Sequence, residues 1–182
     1  MLPIRAAVLY TALLFGANPA AADLAAADAL RAGDMQKLSF AEPQTLPDVA
    51  LLGMDDAPRS LSEFRGKWVL VNFWATWCPP CRTEMPSLGA LQTAKGGERF
   101  EVVTVATGRN AVQGITDFFD EAGVQHLQAL RDPKMELARS MGVAGLPVTV
   151  ILNPEGQEVG RLIGDADWNA PEAHAVIDAL IK

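Results

Sequence analysis

The chain has 182 residues, which suits one domain plus an N-terminal segment and is too short for two full domains. Hydrophobic residues make up 49% of it, an ordinary globular share that excludes wholesale disorder. The formal net charge of −7 argues against non-specific nucleic-acid binding, which needs clustered Lys and Arg.

Residues 1–22 read as a signal peptide. Arg5 supplies the positive start, residues 6–17 are apolar, and Ala20-Ala21-Ala22 offers a small-residue cleavage site. That apolar stretch is about half of the roughly 20 residues a membrane span needs, and an uncleaved anchor is the alternative. No cysteine lies near it to carry a lipid. Removal takes away Arg5 and no acidic residue, moving the net charge from −7 to −8. The expected location is therefore periplasmic or otherwise exported, in soluble form if the segment is cleaved and membrane-anchored if it is not.

Residues 23–47 begin with an Ala- and Asp-rich helical pattern and continue as a Pro-containing connector at 40–47. They read as an extension or linker ahead of a domain at 48–182. Val49 to Leu52 and Arg59 to Leu61 flank the turn-like Asp55-Asp56-Ala57-Pro58, which predicts a hairpin. Trp68 to Trp74 is an apolar run broken only by Asn72, as in a strand buried on both faces. A helix is expected from the second cysteine towards Lys95, ended by Gly96-Gly97.

A strand at 100–107, a helix near 111–122, a short strand near 127–131 and a helix at 134–141 follow. A strand at 147–152 then turns through Asn153-Pro154-Glu155-Gly156 into an antiparallel partner at 157–163, and a helix at 171–180 closes the chain. This order predicts an α/β fold, with a mixed central sheet covered by helices on both faces.

The two cysteines, Cys78 and Cys81, are the most informative residues. An exported protein ordinarily uses cysteines as staples. A loop this short constrains the unfolded chain very little, so a structural disulfide is a poor explanation and a redox role remains. Disulfide exchange needs an attacking thiolate and a second thiol near enough to release the mixed disulfide. A two-residue spacer opening a helix supplies both. Unpaired N–H groups and the helix dipole favour an anion at Cys78, and Pro79 and Pro80 fit the first helical positions. Cys78 is then the nucleophile, with its pKa below that of a free thiol, and Cys81 the resolving thiol. A zinc site would need four ligands, and His126 and His174 lie far away in sequence. Beyond the dithiol itself, no cofactor or metal is expected.

The segment from Val71-Asn72-Phe73-Trp74-Ala75-Thr76-Trp77 through Cys78-Pro79-Pro80-Cys81 to Arg82-Thr83-Glu84-Met85-Pro86 resembles the active-site region of the thioredoxin superfamily. It is most similar to the TlpA-like branch of exported thiol–disulfide proteins (TlpA, ResA, DsbE). The resemblance runs over about residues 40–182 and includes the ending Gly164-Asp165-Ala166-Asp167-Trp168. It implies that Trp77 shields the dithiol and that Pro86 kinks the active-site helix, where an interior proline ordinarily costs about 3 kcal/mol. It also implies that Pro147 is a cis-proline beside the dithiol, leaving the backbone near Leu146 free to pair with an extended substrate. Read without the resemblance, Pro147 is a trans residue opening a strand.

Thioredoxin has a buried carboxylate where this chain has Asn72, and an amide cannot take up the resolving cysteine's proton. Glu84, three residues after Cys81 on one helix face, is a candidate replacement relay. The competing reading is a solvated charge near the helix start.

The resemblance further implies a reductase for specific exported disulfides, of the cytochrome c maturation or copper-centre assembly type. Its partners would be a protein disulfide client and a membrane-borne thiol–disulfide electron donor, and the chain is expected to act as a monomer. A general thiol oxidase and a non-catalytic client-binding module are the rivals. A peroxidase would want Thr three positions before Cys78, where this chain has Ala75.

Overall fold

The computed structural model describes residues 19–182; most of the expected signal peptide, residues 1–18, lies outside them. Eight strands of the described residues form one sheet: β1 (Leu38–Thr45), β2 (Leu51–Leu52), β3 (Pro58–Arg59), β4 (Trp68–Trp74), β5 (Phe100–Thr107), β6 (Gln128–Asp132), β7 (Val148–Leu152) and β8 (Gln157–Ile163). The order across the sheet is β1-β8-β7-β4-β5-β6-β2-β3. The β4–β5 and β5–β6 pairs are parallel, and the rest are antiparallel. Among the described residues five helices accompany it: α1 (Pro19–Ala29), α2 (Pro79–Lys95), α3 (Val112–Ala122), α4 (Glu136–Ser140) and α5 (Pro171–Leu180).

Strand alternation divides the core in two. Trp68, Leu70 and Trp74 of β4 join one cluster with Met85 and Leu88 of α2, Ile115 of α3 and Ile177 of α5. Val69, Val71 and Phe73 join the other with Leu137 of α4 and with Leu61 and Phe64. A strand buried on both faces reads as an unbroken apolar run, which is why β4 is plain in the sequence. Its single polar residue, Asn72, has the parity of the α2 face and is fully buried.

Of the extension or linker expected at 23–47, the linker half needs correcting: Leu38–Thr45 is an edge strand paired with β8, and Ala27, Met35 and Leu38 are fully buried, so this stretch is an extension built into the sheet. The strand was hidden because one edge of it faces solvent, its residues after Phe40 are exposed, and its register shifts between Phe40 and Gln44, around Pro43. Proline is tolerated at such edges and bulges. At the opposite edge, β2 and β3 form the short hairpin, closed by the Gly53 N–H donating to the Ala57 carbonyl at 2.8 Å. The Arg131 guanidinium of β6 holds that hairpin, donating twice to the Gly53 carbonyl at 3.0 and 2.8 Å.

Candidate active site

The end of β4 delivers the chain to the cysteines. Cys78 caps α2 in an extended conformation, with φ −96° and ψ 104°, and Pro79 and Pro80 occupy the first helical turn. Their missing N–H groups forfeit no intrahelical bond there. The Arg82 N–H donates to the Cys78 carbonyl at 3.1 Å and closes that turn. Cys78 and Cys81 are joined as a disulfide with Cα atoms 5.3 Å apart. Cys81 is fully buried, whereas Cys78 keeps 4% of its surface and borders an open groove.

The loop leading into the motif is pinned by a residue for which the sequence offers no local signal. Asn110, which follows β5, accepts from the Thr76 N–H at 2.8 Å and the Thr76 hydroxyl at 2.9 Å, and its amide donates to the Thr107 carbonyl at 3.0 Å. The parallel β4–β5 pairing brings these segments together across 34 residues. Asn110→Ala should cost about 1–3 kcal/mol, because it strands a part-buried N–H. Thermal unfolding with the motif disulfide intact checks this; an unchanged midpoint would remove the anchoring role.

Glu84 is not the solvated charge that one reading of the sequence allows. It is 3% exposed, on the buried side of α2. Its carboxylate accepts from the Asn72 amide at 2.8 Å, from the Ala166 N–H at 3.2 Å and from the Trp168 indole at 3.3 Å. Burial pushes the Glu84 carboxyl up to about 7; the Asn72, Ala166 and Trp168 bonds oppose that rise, and the nearby charge of Asp165 adds to it. Asn72 also donates to the Thr149 hydroxyl at 3.0 Å, so the amide ties α2 to β7 through β4. Where thioredoxin carries its strand carboxylate, this chain carries an amide that holds a helix carboxylate.

On the open side, Trp77 is 63% exposed beside Cys78. The Leu146–Pro147 peptide is cis. Pro147 is buried, and its carbonyl accepts from the Gly164 N–H at 3.0 Å. Leu146 makes no backbone hydrogen bond among the described residues. Ile163, next to Gly164 and paired with Val148, is 72% exposed and extends the apolar surface at this end of the sheet. In the sequence Ile163 is only the last residue of a strand. Helix α2 continues through Pro86. The histidines lie elsewhere: a ring nitrogen of His126 meets the Gly89 carbonyl at 2.9 Å, and one of His174 meets Asn169 at 3.2 Å.

A helix-capping disulfide beside a cis-proline, at one end of a mixed sheet layered by helices, defines a thiol–disulfide oxidoreductase of thioredoxin fold. The chain matches the Redoxin family over residues 41–177. It is 30% identical over 128 residues to the thiol-disulfide oxidoreductase ResA of Bacillus subtilis, covering 70% of each chain. It is 32% identical over 126 residues to the thioredoxin-like protein YneN of the same organism, covering 66% of this chain and 71% of that one. A solved thiol:disulfide interchange protein of the thioredoxin family from Chlorobium tepidum matches with a TM-score of 0.63 at 26% identity, covering 78% of this chain and 99% of that one. The chain belongs to the Redoxin family, in its TlpA-like branch.

Proposed function

We propose that the protein is an exported reductant of specific protein disulfides, of the kind used in cytochrome c or copper-centre assembly, recharged by a membrane-borne thiol–disulfide donor. The observation that carries the direction of electron flow is the buried Glu84 carboxylate, three residues after Cys81 on the same helix. A dithiol is strongly oxidising when its thiolate is stabilised, as in DsbA. The helix N-terminus favours the Cys78 thiolate by about 0.3–1 kcal/mol, up to ~2 when partly buried. Glu84 acts on the other sulfur: once it is ionised, unit charges at the i,i+3 spacing of about 5–6 Å repel by about 3 kcal/mol at an effective dielectric constant near 20, which disfavours a Cys81 thiolate and with it the fully ionised reduced dithiol.

Arg82, the cation nearest in sequence, is engaged with other partners. Its guanidinium lies 4.2 Å over the Phe118 ring and reaches Glu121 at 3.4 Å. Similarity to a thiol-disulfide oxidoreductase, ResA, supports dithiol–disulfide exchange as the chemistry. Residues 1–22 support export, and none of the described helices is long and apolar enough to cross a membrane.

The step itself balances as a two-electron exchange. The Cys78 thiolate attacks one sulfur of the client disulfide, forming a mixed disulfide and expelling the other client sulfur as thiolate. The Cys81 thiolate then attacks Cys78 and releases the second client sulfur. Cys78–Cys81 ends oxidised, and both client sulfurs end reduced. In this reading Glu84 takes up the Cys81 proton, and Leu146, Pro147 and Trp77 seat the client segment.

Redox titration of the purified protein against glutathione tests the direction. Known dithiols of this type run from about −270 mV for thioredoxin to about −120 mV for DsbA, roughly 7 kcal/mol for two electrons. The expected value lies towards the thioredoxin end, and a potential near that of DsbA would make the protein an oxidase.

A further inference from the structure

The groove beside the dithiol holds a residue whose backbone is unfavourable for its type. Met135 sits at φ +59° and ψ +31°, in the left-handed region that glycine takes freely and other residues rarely adopt. The conformation is enforced from both sides. The Met135 N–H donates to the Asp132 carbonyl at 3.0 Å. The Asp132 carboxylate accepts from the N–H groups of Glu136 at 2.8 Å and Ala138 at 2.9 Å, fixing the first turn of α4.

Any residue could supply those backbone bonds, and glycine would do so without strain. What methionine adds is its side chain. It is 39% exposed, rests over Gly108, where a Cβ would lie 3.7 Å from its sulfur, and lines the groove with Trp77, Cys78, Val143 and Leu146.

That groove has a volume of about 370 Å³, and among the described residues no charged one lines it. Cys78 forms part of its wall, so whatever occupies it is contiguous with the sulfur under attack. The unpaired backbone of Leu146 borders it as well. The occupant is thus a side chain of the client segment next to the client's cysteine. An uncharged apolar lining takes an apolar side chain and rejects a charged one, which would lose its hydration without a partner. An unbranched thioether suits the wall of such a pocket, because it adjusts to several apolar shapes.

We propose that Met135 is a specificity-determining residue that selects clients carrying an apolar side chain beside the disulfide cysteine. The inference rests on the reading that the protein reduces protein disulfides.

The test uses two synthetic peptides with the same cyclic disulfide, their cysteines flanked by Leu in one and by Asp in the other. Reduction by the parent, Met135→Gln and Met135→Gly is compared as a ratio of kcat/KM between the peptides. The parent should favour the Leu peptide by about tenfold, mainly through KM. Met135→Gln, similar in size but polar, should bring the ratio to within about twofold of unity, and Met135→Gly should do the same. Met135→Gly should unfold at the parent's temperature or above, since glycine takes the left-handed conformation without penalty.

A variant that keeps the full preference, or a parent that has none, overturns the role of Met135 while leaving the reductase reading intact. A lower unfolding temperature for Met135→Gly overturns it too, by showing that the fold itself needs the thioether. A parent that reduces neither peptide overturns the reductase reading.

Discussion

A Cys78→Ser protein should lose disulfide reduction by a factor on the order of a thousand or more, and its Cys81→Ser counterpart should accumulate as a mixed disulfide with its client. A serine hydroxyl cannot supply the thiolate that exchange requires, so the first substitution removes the attack itself. The second leaves the attack and removes the exit. Their burial sets the order of events: Cys78 borders the groove, whereas Cys81 has no exposed surface and meets no outside sulfur. Non-reducing electrophoresis after exposure to exported proteins reads the adduct, and mass spectrometry of it names the client. An adduct formed by Cys78→Ser in place of Cys81→Ser would reverse the two roles.

Replacing Glu84 by Gln should change the pH dependence of stability and of redox chemistry together. In the oxidised protein no thiol titrates, so the stability effect belongs to Glu84. Burial holds its carboxyl at about 7 in the folded protein, against 4.5 as the ordinary value. Between those values the folded state binds more protons than the unfolded state, so stability falls as pH rises. The contribution is fully present below pH 4.5 and is lost as pH passes 7. From pH 5 to pH 8 the parent should therefore lose about 2 kcal/mol relative to Glu84→Gln. For a domain of this size that is a relative shift of about 4–8 °C in unfolding midpoint.

The reduced protein supplies the second half of the same expectation. Removing the carboxylate should make the dithiol less reducing at pH 8, where Glu84 is charged, and leave it nearly unchanged at pH 5. The pH–rate profile of client reduction should lose its inflection near 7. Stability curves of parent and variant that run parallel from pH 5 to pH 8 would remove the raised carboxyl, and superimposable rate profiles would remove the relay.

Much of the domain was legible because its signals are local. The runs at Trp68–Trp74, Phe100–Thr107 and Gln157–Ile163 are strands with the expected bounds, and Pro171–Leu180 is the expected closing helix. Each has an apolar pattern that matches one period, punctuated by Gly, Pro or Asn. The edge strand Leu38–Thr45 broke that rule: one neighbour and a shifted register leave a pattern too weak to read, and only its partner β8 defines it. Pro43 strengthened the misreading, since a proline inside a run argues against a central strand but not against an edge.

The dithiol that defines the site was readable from the sequence alone. A CxxC spacing at a helix start, with prolines in the first turn and no other cysteines, is local chemistry that needs no fold to interpret. Its surroundings were not. Asn110 reaches Thr76 across 34 residues, Asn72 reaches Thr149 across 77, and Trp168 reaches Glu84 across 84. Glu84 shows the difference most plainly. Helical spacing placed it on the same face as Cys81 but could not say whether that face met water or β4. Burial and hydrogen-bond partners are properties of what packs opposite, and only the tertiary structure brings Asn72, Ala166 and Trp168 around that carboxylate.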